Sequence, residues 1–206
     1  MTPTPQSAQD DLAFLKSIVS AGDGAQASFG QGYVAAGVCY GLQMLLSAGQ
    51  LLGGLPATPV WSTTIGVAPT VVFLVALIWV IVRAGKAPPT GVVGRAVRAG
   101  FSGVGMANLA LLVIIAWVAI RQQSLVTWLI YPCTVFVLQG AAWLMAYTLR
   151  RRAWLGVVAA GWFATAFAMA FSIQTILYYV LWGGLGLFAW MVVPGVVMIH
   201  LARKSA

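Results

Sequence analysis

The chain contains no glutamate, and its only carboxylate side chains are Asp10, Asp11 and Asp23, all close to the N-terminus. It has one histidine, His200, and two cysteines, Cys39 and Cys133, in separate apolar runs. These shortages exclude much chemistry. Paired carboxylates for general acid–base work are missing from every apolar run, and so is the buried ionisable residue that proton-coupled transport relies on. A lone histidine at the end of a run is no basis for haem ligation. No CxxC or paired metal-ligand spacing occurs, so no cofactor and no metal are expected. The cysteines fall about two turns in from opposite sides of the membrane. At 1.5 Å of rise per residue, their depths differ by at least ~10 Å, too far for a disulfide. Gly85-Lys86 does not open a P-loop, because Ala87 follows the lysine and no glycine stands five residues before Gly85. The chain is expected not to be an enzyme.

Apolar residues dominate what is present. The chain is 61% hydrophobic and 7% charged, with a mean hydropathy of +0.95. Soluble domains carry about 25% charged residues. The expectation is an all-α, polytopic transmembrane bundle of six crossings, placed at about 33–52, 61–82, 101–120, 127–149, 154–176 and 184–201. Each run approaches the ~20 residues of helix that span a bilayer core. Residues 33–206 then form one transmembrane domain, preceded by a tail, 1–32. The tail lacks the charged n-region and apolar h-region of a secretory signal. Within it, 10–21 reads as a short amphipathic helix with Leu12, Leu15 and Val19 on one face, Asp10 and Asp11 at its positive end and Gly22 as its stop. Residues 22–32, rich in glycine and glutamine, read as a flexible lead-in.

The cations set the orientation. Lys16, Arg83, Lys86, Arg95, Arg98, Arg150, Arg151, Arg152, Arg203 and Lys204 fall on one side of the six crossings, and Arg121 alone falls on the other. The positive-inside rule therefore puts both termini in the cytoplasm. The formal charge of +8 reads as attraction to anionic lipid headgroups and not to nucleic acid. Eight arginines against three lysines suggest a GC-rich bacterium, and the expected location is the inner (plasma) membrane. Trp61, Trp128, Tyr131, Tyr178, Tyr179 and Trp182 are placed at the outer interface, and Tyr33, Phe101, Tyr147 and Trp154 at the inner one.

Neutral polar residues remain as the candidate site. Gln43, Asn108, Gln139 and Thr165 fall near mid-depth in four crossings and are expected to face inward, Gln139 opposite Thr165. Two uses fit them: hydrogen bonding between helices, or a path for a neutral solute. Gly37-Val38-Cys39-Tyr40-Gly41 is a GxxxG that permits close approach, within the bundle or across a homodimer. Gly156, Ala160, Ala164 and Ala168 form a small-residue stripe, read as tight packing. Three hairpins of about fifty residues, with Pro69, Pro132 and Pro194 in the returning helices, suggest a repeat that bilayer thickness alone would also impose. The functional expectation is an interaction or regulatory module with a protein partner; the alternative is a small transporter or channel for a neutral or lipophilic solute.

Overall fold

The structure, a computed structural model, describes residues 5–84 and 91–205, with side chains over 26–83 and 93–204. Every regular element among these residues is helical: α1 Pro5–Leu51, α2 Pro59–Ala84, α3 Gly91–Gln122, α4 Leu125–Arg150, α5 Ala153–Phe171, α6 Ile176–Leu187, a π turn Phe188–Val192, and α7 Val193–Ser205. Helix α6, the π turn and α7 form one continuous span, so six helical segments are long and apolar enough to cross a membrane. Lys86 lies outside the described residues, as do the side chains of Lys16 and of the expected amphipathic face at 10–21.

Several boundaries differ from those expected. Helix α1 continues through Gly22 and the 22–32 segment. Glycine costs a helix only about 1 kcal/mol, and the Gly30 end of this segment packs against α7. Helix α3 begins at Gly91, not near Phe101, so Arg95 and Arg98 sit in its first turns. The fifth helix ends at Phe171, and a four-residue turn, 172–175, leads straight into α6. Residues 177–183, which fall from sequence between the fifth and sixth crossings, belong to the start of the last span. Tyr179 is accordingly a core residue at 1% exposure, not an interfacial one.

The arginine turn is as tight as expected. Arg150 ends α4, Arg151 adopts a left-handed conformation (φ 51°) and gives its N–H to the Tyr147 carbonyl, and Arg152 caps α5. At the opposite end of the bundle, Ser124 caps α4 by accepting from the Thr127 N–H at 3.2 Å.

By backbone proximity the helices pack in a row, which side chains of α1, α3 and α4 cross. Helix α2 lies on α1, α1 on α6, the π turn and α7, α6 on α5, α5 on α4, and α4 on α3. The core sits under α5 and gathers Phe136, Trp143, Trp162, Met169 and Tyr179. Helices α2 and α3, at the two ends of the row, bury only 11% and 6% of their most apolar windows.

The small-residue stripe does not lie where expected. Ala160 and Ala164 are exposed, and α5 buries instead the face of Leu155, Val158, Ala159, Trp162, Ala166 and Met169. The large side chains of that face supply more contact area to the core than alanine can. Lipid tails also accept alanine without cost, so the spacing alone does not fix which way this stripe faces.

Candidate functional site: polar pairs and proline stitches between helices

The four polar residues singled out at mid-depth have separate surroundings. On α1, Gln43 donates through Nε2 to the Gly66 carbonyl of α2 at 3.2 Å. Gln139 on α4 accepts through Oε1 from the Tyr33 hydroxyl of α1 at 2.9 Å. Thr165, on α5 and 8% exposed, donates to the Gly161 carbonyl at 2.9 Å and accepts from Trp190 Nε1 at 3.0 Å. Asn108 Oδ1, on α3, is buried and meets no donor among the described residues. Gln139 and Thr165, on consecutive helices, thus turn to different partners: one to α1, the other to the π turn.

The Gln139 pair belongs to a larger cluster. Trp143 Nε1 donates to the Tyr33 hydroxyl at 2.6 Å, so that oxygen accepts one bond and gives another. Phe29, Phe101 and Trp154 surround this centre, with ring centroids 4.9 to 5.8 Å from their neighbours. Edge-to-face contacts of this kind are worth about 0.5–1.5 kcal/mol each beyond area burial. Three aromatic residues assigned from sequence to the inner interface (Tyr33, Phe101 and Trp154) therefore point into the bundle, tying α1, α3, α4 and α5 together. Tyr147, 39% exposed, keeps an outward position.

Two of the prolines are matched by a donor from another helix. Proline has no N–H, and the kink it makes loosens the helix bonding of the preceding turn. Pro69 stands three residues after Gly66, whose carbonyl takes the Gln43 amide. Pro132 stands three residues after Leu129, whose carbonyl takes the Tyr179 hydroxyl at 2.7 Å. Cys133 Sγ approaches the same hydroxyl at 3.9 Å. Pro194 is handled differently. The Val193 N–H reaches back five residues to the Phe188 carbonyl, widening the helix into the π turn immediately before the proline.

That π turn is the surface met by the GxxxG of α1. A Cβ on Gly41 would come within 2.8 Å of the Phe188 ring, and one on Gly37 within 2.8 Å of Val192. Further along the same antiparallel pair, a Cβ on Gly30 would meet the Gly195 carbonyl at 2.8 Å. Gly37 and Gly41 are thus occupied within the chain, and this face is not free for a second copy.

A polar stripe went unnoticed in the sequence. Gln43, Ser47 and Gln50 recur at helical spacing on α1, and Gln50 Nε2 bonds the Pro56 carbonyl at 2.7 Å and Ser62 Oγ at 3.4 Å. Ser47 and Gln50, with Ile176 and Val180 of α6, border a groove of about 260 Å³ at the far end from the triple arginine. The i, i+4, i+7 recurrence was the available signal. Trp143 and Trp190 had none, because tryptophan reads as apolar until an acceptor is placed beside it. Of the cations expected to meet lipid headgroups, Arg83, Arg95, Arg98, Arg150, Arg151 and Arg152 are exposed, and Arg83 rests over the Trp79 ring, 5.0 Å from its centroid. Cys39 and Cys133 are free and half-buried. No group of three or more metal-ligating side chains occurs among the described residues.

Comparisons with protein-family models, with curated proteins and with solved structures give no match.

Proposed function

We propose that this chain is a non-enzymatic interaction module of a bacterial inner membrane, with both termini in the cytoplasm, that holds or modulates a protein partner through its peripheral helix faces. One observation carries the reading: α2 and α3 have mean window hydropathies of 2.7 and 2.3 yet bury only 11% and 6% of those windows within the chain. Val75 of α2 and Val113 of α3 are 63% and 64% exposed. Lipid satisfies such faces, and so does a partner helix. Three of the internal polar groups, in contrast, are committed to bonds that hold neighbouring helices together, which supports a scaffold more than a conduit. On the cytoplasmic side, α1 extends beyond its membrane span, and the cations of the α2–α3 connection and of the α4–α5 turn would meet anionic lipid.

The experiment is site-specific photocrosslinking in native membranes, with a photoreactive residue at Val75, Val113 or, as a control on the exposed face of α5, Phe171. A discrete protein adduct from the α2 or α3 position supports the proposal. Lipid adducts alone at all three positions would sink it.

A second reading, a small transporter or channel for a neutral or lipophilic solute, is favoured by the groove beside Gln50 and Ser62. If Gln43→Leu and Gln139→Leu leave stability unchanged but abolish a solute flux in liposomes, the conduit reading replaces the first.

A further inference from the structure

The outer segment of α2, Pro59–Ala68, is held to the bundle by very little. Of these ten residues only Ile65 is buried. Its other recorded attachments to α1 are two side-chain hydrogen bonds, Gln43 to the Gly66 carbonyl and Gln50 to Ser62 Oγ. Pro69 follows directly, at the point where the helix bonding between this segment and the rest of α2 is weakest. Below it the helix is anchored again by the buried Val80 and by Phe73, whose ring lies 5.4 Å from that of Tyr40. Behind the segment lies the groove bordered by Ser47, Gln50, Ser62, Ile176 and Val180. The geometry therefore combines a hinge, a latch next to the hinge and a space that the movable part covers.

We infer that Pro59–Ala68 is a hinged lid, bending at Pro69 and latched by Gln43, over the largely apolar groove between α1, α2 and α6. The latch is placed effectively. Gln43 grips the carbonyl in the turn that the proline loosens, so releasing it frees the hinge itself and not merely the tip. Local opening with few buried apolar contacts to break is the low-energy motion of such a segment, and a hydrogen bond made only in the closed state biases the population toward it. The inference does not depend on whether the chain holds a partner or passes a solute.

The test uses the full chain with Cys39→Ala and Cys133→Ala, spin-labelled at Thr63→Cys on the lid and Tyr178→Cys on α6, in lipid nanodiscs. Pulsed electron–electron distance measurement should show a single dominant closed population. Adding Gln43→Leu should raise a longer-distance population by about threefold, the factor expected from an average interhelical hydrogen bond. Adding Pro69→Ala as well should restore the closed distribution. A Gln43→Leu distribution identical to the parent, or an opening that survives Pro69→Ala, would overturn the inference. Gln43→Asn, whose amide is one methylene short, serves if the leucine variant does not assemble. Independently, with the latch intact, a Ser47→Cys thiol should react with a membrane-impermeant maleimide more slowly when Pro69→Ala restores the helix bonding, and equal rates would count against the hinge.

Discussion

The Tyr33 hydroxyl takes part in two side-chain hydrogen bonds at once. It accepts from Trp143 Nε1 and donates to Gln139 Oε1, within a cluster of rings that excludes solvent. Removing it strands a donor and an acceptor together, and each stranded buried group costs about 1–3 kcal/mol. Tyr179→Phe removes one donor from the Leu129 carbonyl and leaves a helix that already accommodates Pro132. Tyr33→Phe is therefore expected to lower stability more than Tyr179→Phe, by roughly 1–2 kcal/mol, read as thermal unfolding midpoints in one detergent. Equal losses would mean that the Tyr33 centre is not held as described. At this scale the sequence allowed half an answer. Gln139 was expected to face inward because an amide in hydrocarbon needs a partner. Its partner was misplaced, because an aromatic residue near the start of a span carries the same local signature whether it faces headgroups or the core.

Among elements, the antiparallel pair of α1 with the π turn and α7 approaches closely through glycines on both sides. Gly30, Gly37 and Gly41 line one side, and Gly195 returns the contact, where a Cβ would meet Val34 Cγ2 at 2.7 Å and the Gly30 carbonyl at 2.9 Å. Because one of those atoms is backbone, the neighbour cannot swing away, and overpacking of this kind costs about 1–3 kcal/mol. Gly195→Ala should lower the unfolding midpoint clearly. Gly103→Ala on α3, where nothing lies within 4 Å of the added Cβ, should leave it unchanged or raise it through helix propensity. Matching losses at both positions would show that the α1–α7 approach is looser than the structure describes. The GxxxG was readable because close approach needs small residues at i and i+4. The π turn opposite it was not, because it depends on Pro194 and the facing glycines together and on no local pattern. The exposed alanines of α5 show the converse limit: in lipid, a stripe of small residues looks the same on an outer face as on an inner one.

For the whole molecule, the number of spans was legible because it depends only on length and hydropathy, two quantities a bilayer reads directly. The order of neighbours was not, since apart from the Gln43, Ser47 and Gln50 stripe of α1 the spans offer little polar patterning to dictate who meets whom. The Tyr178–Trp182 stretch was misplaced for a related reason: its aromatic residues and glycines resemble a loop until α6 is continued through the π turn into a single span. Orientation rests on charge and is a matter of the assembled chain, not of any one loop. The sequence assigns ten cations to one end against Arg121 at the other. Replacing Arg150, Arg151 and Arg152 with glutamine removes three of the ten, so the bias persists and the chain should keep its direction. Thiol-labelling of intact cells reports this directly. A cysteine at Gly54, in the α1–α2 turn, should react with an impermeant reagent before and after the triple replacement, and one at Ser205 should react only after the cells are opened. Reversal of that pattern by the triple replacement would show that the arginine turn alone sets the orientation. Lasting labelling at Ser205 in intact parent cells would invert the proposed sidedness, and with it the assignment of the lid to the outer leaflet and of the basic turns to the cytoplasm.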